Sequence, residues 1–182
     1  MQEIEDARLL DRFADEATRK DAFEQIVRKY QEPIYWHVRK IVVDHDDAND
    51  VTQMIFIKVW KGLPGFRRES QLYSWIYRIA TNECLSLLRT RRRRLMVSFE
   101  DVEETLSSNL AADPLFSGDK IQLKLQQAVL KLPPQQRIIF TMKYFDGLKY
   151  EAIAETLGIS VGGAKASYHH AVKKIEKSVL AD

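Results

Sequence analysis

Tyr150–Lys174, YEAIAETLGISVGGAKASYHHAVKK, decides the fold: it reads as a helix, a glycine turn and a second helix entered through a serine. In the second helix the apolar positions are Val161, Ala164, Tyr168, Ala171, Ile175 and Val179, three or four apart, which makes one buried stripe. Gly158 supplies the positive φ that a short interhelical turn needs. Ser160 is placed to cap the free amides of the second helix. The outer face carries Gly163, Lys165, Ala166, Ser167, His169, His170 and Lys173. Small, polar and basic residues suit a helix lying in a DNA major groove, where bulk is excluded and phosphates line the rim. A helical hairpin with a solvated basic face is the competing reading of this segment alone.

Working outward, nearly every other segment also carries helical periodicity. Ala7–Phe13 is a short amphipathic piece, and Ala22 to Val43 is a longer helix in which Pro33 marks a kink or a break. A third helix spans Ala48 to Gly62, its start favoured by Asp44, Asp46 and Asp47. A fourth runs from Ser70 to Arg93. After an acidic stretch, helical patterning resumes at Lys120, and Pro133–Pro134 opens a further helix that Asp146–Gly147 ends. The expected fold is therefore all-α: two small helical domains, residues 1–94 and 120–182, joined by an acidic flexible linker at 95–119, with one turn of helix around Asp101–Leu106. The C-terminal domain is expected to have four helices, the last two forming the helix-turn-helix.

Charge is segregated along the chain. Net formal charge is −4 over residues 1–60, +7 over 61–94, −6 over 95–119 and +5 over 120–182. Two basic blocks separated by an acidic one point to two nucleic-acid contacts joined by a segment that avoids or imitates nucleic acid. Hydrophobic content of 45% is enough for packed cores, so global disorder is excluded. Apolar runs are too short to span a bilayer, no N-terminal signal is visible, and the single Cys84 can form no internal disulfide, so a cytoplasmic protein is expected. Cys84 lies in an apolar helical context and reads as packing rather than as a nucleophile.

Two helices carry more than a core stripe. In the third, Ala48, Val51, Ile55 and Val59 form the ordinary core face. Gln53, Phe56 and Trp60 share a second face beside Asp50, with Met54 and Ile57 also large and apolar. Such a helix is either central to its domain or covered on its second side by a partner. In the fourth, Trp75, Ile76, Ile79 and Leu87 read as core, whereas Ser74, Arg78, Asn82, Ser86 and Arg89 recur as a polar stripe. Arginine and amide groups on a helix face can meet phosphates and base edges, and nearby aromatics can stack on unpaired bases. The run Arg91–Arg94 exceeds what a helix dipole needs at its C-terminus.

FEQIVRKY at Phe23–Tyr30, DANDVTQMIFIKVW at Asp47–Trp60, the block Phe66–Arg94 and LPPQQRIIFTMKYFDGLKYEAIAETLGISVG at Leu132–Gly162 together resemble a bacterial RNA polymerase sigma factor of the extracytoplasmic-function group of the sigma-70 family. The resemblance covers nearly the whole chain in order. It implies that residues 1–94 are sigma region 2, binding the polymerase clamp through Asp50, Gln53, Phe56 and Trp60. It implies −10 element contacts from Phe66, Arg67, Arg68, Ser70, Arg78, Asn82 and Arg89, the Phe66–Leu72 loop holding a flipped base. Residues 120–182 would be region 4, binding the polymerase flap and reading the −35 element with Ser160, Gly162, Gly163, Lys165, Ser167, His169 and His170. The acidic linker would run toward the RNA exit path. Core RNA polymerase, promoter DNA and an anti-sigma factor, often membrane-anchored, are the implied partners, with no small-molecule substrate and no cofactor.

One departure concerns the recognition helix. The family often has Gly-Thr-Val-Lys-Ser-Arg there and another arginine three residues on, whereas this chain reads Gly162-Gly163-Ala164-Lys165-Ala166-Ser167 and then His170. Base preference, rather than fold, is affected. Among other classes, a stand-alone helix-turn-helix regulator leaves the Asp50–Trp60 face and the second basic helix unexplained, and a helical adaptor leaves the charge segregation unexplained. A nuclease lacks support: His37, His45, His169 and His170 show no ligand spacing, and Asp44, Asp46, Asp47 and Asp50 suit a helix start better than a metal loop. No catalytic residue and no metal ligand are expected.

Overall fold

The computed structural model describes residues 2–94 and 120–180, all helix and connecting turn with no strand among them. The N-terminal domain contains α1 (Gln2–Ala14), α2 (Arg19–Val42), α3 (His45–Gly62), a 3-10 turn at Leu63–Gly65, and α4 (Leu72–Arg94). The C-terminal domain contains α5 (Lys120–Leu130), α6 (Pro134–Phe140) continued by a π turn at Thr141–Phe145, α7 (Tyr150–Leu157) and α8 (Val161–Leu180). The acidic stretch and its expected turn around Asp101–Leu106 lie outside the described residues.

α2 is the spine of the first domain. Ala22, Ile26, Tyr30, Ile34, Val38 and Ile41 fall on one stripe and are all buried, packing against α1, α3 and α4. The helix runs through Pro33 without the expected break. Proline removes one amide donor and crowds the carbonyl four residues back, but Pro33 is exposed, so water can satisfy the freed carbonyl. α3 starts where the acids indicate: the Asp44 carboxylate accepts from the Asp47 amide at 3.0 Å. Cys84 is buried in α4, and burial pushes its thiol up to about 12, which agrees with packing rather than reactivity.

α1 is longer than its sequence pattern suggested and is fastened by polar as well as apolar contacts. Leu9, Leu10 and Phe13 join the core, and Phe13 meets Trp60 edge-on at 5.3 Å. The buried Tyr30 hydroxyl lies 2.7 Å from both Asp6 carboxylate oxygens, and Lys29 donates to Asp6 at 2.8 Å. Burial, followed by the hydrogen bond to Asp6 and then its charge, raises the Tyr30 phenol well above its ordinary value, so it remains a donor.

The C-terminal domain builds its own core from Ala128, Val129, Leu132, Phe140, Ala171 and Ile175. Phe140 stacks on Tyr168 at 5.8 Å. Its other face, with Ile138, Ile139, Met142 and Ile153, is continuous with the apolar core of the first domain. At this junction Asp146 accepts hydrogen bonds from His37, Lys40 and Tyr77. Burial alone would raise the Asp146 carboxyl; the three donors outweigh it and lower the group to about 2.

Tyr30→Phe should cost about 1.5–3 kcal/mol, because the Asp6 carboxylate keeps Lys29 but loses a buried donor. Thermal unfolding at neutral pH measures this. A melting temperature equal to the parent's would mean that the Tyr30 hydroxyl contributes nothing to holding α1.

Candidate nucleic-acid interface

The polar stripe on α4 is formed as the spacing predicts. Ser74, Arg78, Asn82, Ser86 and Arg89 are all exposed, while Leu72, Ile76, Ala80, Cys84 and Leu88 are buried on the opposite side. Among the described residues neither Arg78 nor Arg89 is ion-paired, so both present full charge to solvent. Arg91, by contrast, pairs with Asp47 at the start of α3, so part of the terminal arginine run serves the fold.

The Phe66–Gln71 loop folds into one wall of a cavity of about 650 Å³. Phe66 packs on Trp75 at 5.0 Å, and Trp75 in turn lies over Gly62, where an added Cβ would come within 3.0 Å of the indole. That close approach explains a glycine at the end of α3. Arg68 adopts φ 59°, rarely taken by a long side chain, and its guanidinium donates to Asp11 of α1 at 2.6 Å. Asp6, Ala7 and Leu10 of α1 form the facing wall, while Ser70 and Arg68 lie on the loop side. Arg67 is exposed and not ion-paired among the described residues. Sequence reasoning gave α1 no part in this site. Nothing in a short amphipathic pattern reports which loop it will face.

On α3 the second apolar face divides. Phe56 is 7% exposed and belongs to the core, whereas Ile57 and Met54 are 45% and 49% exposed. Trp60 is half-buried, held between Phe13 and Phe23 at centroid distances of 5.3 and 4.9 Å. Phe23, Val27, Gln31, Thr52, Gln53 and Ile57 rim an open groove whose floor is Phe56 and Trp60. Of the four residues expected on this face, Gln53 and Asp50 are exposed, Phe56 is buried in the core, and Trp60 is held by rings from α1 and α2. The helix is central to its domain, and it also keeps an apolar outer edge.

The helix-turn-helix has the expected geometry. Gly158 takes φ 64° in the left-handed region, and the Gly163 amide donates to Ser160 Oγ at 3.0 Å. Ala164, Ala171 and Ile175 are buried; Val179, expected on the same stripe, is 37% exposed because the helix runs past its domain core. Gly162, Gly163, Lys165, His169 and His170 are exposed and Ser167 is half-exposed, so the seven expected DNA-facing residues, Ser160 included, form one outer surface. Lys165 Nζ lies 5.8 Å from the Tyr150 ring centroid, a cation–π contact that steadies it at the rim. No cluster of three or more His, Cys, Asp or Glu suits a metal, and no helix is long and apolar enough to cross a membrane, among the described residues.

Phe56→Ala should destabilise the protein by about 3–5 kcal/mol, whereas Ile57→Ala should leave the melting temperature within a degree or two of the parent. Parallel thermal melts decide this. Equal effects would mean that the groove floor and rim are not distinct.

Residues 26–94 match the family model described as Sigma-70 region 2, and residues 122–175 match Sigma-70, region 4. The chain is 33% identical over 168 residues to RNA polymerase sigma-H factor of Pseudomonas aeruginosa, covering 88% of this chain and 87% of the relative. It is 32% identical over 166 residues to ECF RNA polymerase sigma-E factor of Escherichia coli, covering 87% and 86%. Similar solved structures include sigma factor RpoE in complex with the anti-sigma factor NepR from Bartonella quintana, with a TM-score of 0.64 and 21% identity over 88% of this chain and 98% of that one. Another is CnrH in complex with the cytosolic domain of CnrY, with a TM-score of 0.66 and 20% identity over 100% and 98%. Two family regions in order, set on one helical fold with a basic stripe and an exposed recognition helix, lead to one conclusion: the chain belongs to the sigma-70 family of RNA polymerase sigma factors, in its extracytoplasmic-function group.

Proposed function

We infer that the protein is a sigma factor that binds core RNA polymerase, recognises −35 and −10 promoter elements and promotes strand opening. The observation that carries this is the presence, in one chain and in order, of regions 2 and 4 with an unpaired cationic stripe on one and an exposed helix-turn-helix face on the other. A stand-alone regulator accounts only for the second of these.

Residues 1–94 are assigned to the polymerase clamp and the −10 element, and residues 120–182 to the flap and the −35 element. Polymerase meets the outer edge of α3, where Asp50 and Gln53 are exposed beside Ile57 and Met54, while Phe56 and Trp60 shape the groove beneath. In the −10 element, Phe66, Arg67, Arg68 and Ser70 surround a flipped base, and Arg78, Asn82 and Arg89 follow the single strand. Aromatic surface and cations favour unstacked DNA over duplex, so binding offsets part of the cost of melting. At the −35 element Ser160, Gly162, Gly163 and Lys165 position the helix on phosphates, and Ser167, His169 and His170 face base edges. The chemistry is recognition and strand separation, with no covalent step assigned to any side chain. An anti-sigma factor that covers the polymerase-binding face is a further assigned partner, as the similar sigma factor RpoE from Bartonella quintana was solved in complex with the anti-sigma factor NepR.

Transcription in vitro with core polymerase on a promoter library tests the reading as a whole. Sequence-selective initiation supports it; binding to duplex DNA without any effect on polymerase would replace it by the stand-alone regulator.

Arg78→Ala and Asn82→Ala should each reduce open-complex formation on duplex promoters, and a pre-melted bubble should restore activity only in part, since contacts to the exposed strand are missing as well. Permanganate footprinting reads the melted thymines; footprints equal to the parent's would reduce the stripe to a solvated face. Lys165→Ala should weaken promoter binding about uniformly across sequence variants and make the salt dependence shallower by about one charge. His170→Ala should instead alter discrimination at one or two positions. If Lys165→Ala changed the preferred sequence with the salt slope intact, this division of labour would be wrong.

A further inference from the structure

Two histidines stand side by side on the outer surface of the recognition helix, and nothing in the fold employs them. His169 and His170 are exposed, with ring centroids 6.3 Å apart, and among the described residues neither takes part in a hydrogen bond or an ion pair. The other two histidines are engaged: His37 bonds Asp146 and Thr81, and His45 bonds Tyr35 and Asn49. An imidazole with no internal partner is free to take one from outside the chain.

Their place on α8 indicates what that partner is. Ala164, Ala171 and Ile175 turn inward, so at about 100° per residue Ala166 and Lys173 point straight away from the core, with His169 on one side of that line and His170 on the other. Gly162, Gly163 and Ala166 leave the preceding turns without bulk, so the start of the helix can sink into a groove until the two imidazoles meet its edges. Cations flank the pair: Lys165 and Lys173 lie one turn before and after His169, and Lys174 lies one turn after His170. The acid of α8, Glu176, is two turns from His169. The elements packed on α8 bring Lys124 from α5, the buried Arg137 from α6, and Tyr150, Glu151 and Glu155 from α7. None of these groups is bonded to either imidazole, so no carboxylate of the chain neutralises the pair when it is charged.

The two charge states of histidine read DNA differently. A neutral ring has one donor and one acceptor nitrogen, whereas a protonated ring has two donors and a positive charge. Phosphate oxygens and the N7/O6 edge of guanine offer acceptors only, so both favour the protonated ring. Histidine ordinarily passes between these states from about pH 5 to about pH 8.

We propose that recognition of the −35 element by this chain is coupled to proton uptake at His169 and His170, whose charged rings donate to acceptor groups lining the groove. This rests on the placement of α8 at the −35 element. Acceptors hold the proton more tightly in the complex than water does in the free protein, so the titration of each ring moves to higher pH on binding. The sign follows from that shift. The added affinity is full below the pH at which the free rings titrate and is lost as pH rises through the value in the complex. Acidification therefore strengthens the hold on the promoter through its −35 element.

The test uses holoenzyme assembled with core polymerase, titrated onto a selected promoter and onto the same promoter truncated short of its −35 element, from about pH 6 to about pH 8.5 at fixed salt. Parental affinity for the intact promoter should fall about tenfold across this range, and the salt slope should be shallower at the alkaline end by about one charge. His169→Gln with His170→Gln, both at exposed positions, should remove both trends. His169→Lys with His170→Lys, charged throughout the range, should also be flat, but near the parent's acid-side affinity. Replacing guanines of the element by 7-deazaguanine tells the two acceptors apart: the trend shrinks if a ring meets a base edge and survives if it meets phosphate. A parental affinity that ignores pH overturns the proposal, as does a trend that the glutamine variant keeps or that the truncated promoter shows equally. If truncation costs the parent no affinity at any pH, the placement of α8 is itself wrong. If truncation costs affinity but pH does not matter, only the proton coupling is rejected.

Discussion

Burial of α2 is the constraint on which the rest of the N-terminal domain depends. Its stripe from Ala22 to Ile41 is almost fully withdrawn from water, and α1, α3 and α4 each pack on it. Fully burying a large aliphatic side chain is worth about 1.5–3 kcal/mol, so this one helix anchors a large share of the domain's apolar gain. The consequence for function is geometric. With the inner faces of α3 and α4 committed to α2, only their outer faces remain for partners: the Gln53–Ile57 edge on α3 and the Ser74–Arg89 stripe on α4. These lie on different helices and can be occupied at once. A factor that must hold polymerase and a melted strand together needs that separation.

Electrostatics refine the same division. The strongly basic block of residues 61–94 is not uniformly free. Arg68 is tied to Asp11 and Arg91 to Asp47, each an acid from the N-terminal stretch, and Lys58 is tied to Glu83. Exposed pairs of this kind contribute little stability, but they fix where a side chain lies. Lys61, Arg67, Arg78 and Arg89 remain without ion pairs among the described residues. The three free arginines therefore lie on the loop beside the cavity and along the stripe, where the proposed reading expects strand phosphates, and the tied side chains at the seams between helices.

Much of this was legible before any coordinates, for reasons that differ by element. The α8 and α4 stripes could be read because a half-buried helix writes its packing into a period of three to four residues. Ser160 and Gly158 could be read because caps and turns demand particular side chains locally, and the start of α3 because Asp44, Asp46 and Asp47 favour a helix N-terminus. Phe56 and Trp60 could not be resolved: two faces of α3 are apolar, and the burial of Phe56 and the clasp of Phe13 and Phe23 on Trp60 are set by other helices. The wall that α1 builds for the loop cavity, the unbroken course of α2 through Pro33, and the meeting of Asp146 with His37, 109 residues away, are likewise tertiary facts. No local pattern encodes them. Within the motif ending α6, DG reads simply as a helix stop, although the same aspartate joins the two domains.

The recognition helix shows how a departure from family habit can be consistent with its surroundings. A side chain at Gly163 would place its Cβ 3.1 Å from Ser160 Oγ, the atom that caps the Gly163 amide. Glycine leaves that cap room at a cost of about 1 kcal/mol in helix propensity relative to alanine. At Gly162 an added Cβ meets nothing within 4 Å, so no internal contact demands glycine there. The shared effect of both is an entry turn without bulk, in which backbone amides can come close to a phosphate and the helix dipole favours the anion. With Lys165 held near the Tyr150 ring, positive charge at this end comes from the backbone and one steadied lysine rather than from several mobile arginines. Ser167 and His170 then carry less charge than the arginines common in the family. On the proposed reading, a helix so built would hold its place on DNA through the phosphates and read the bases lightly, leaving more of the promoter's selection to the −10 element and its melted strand.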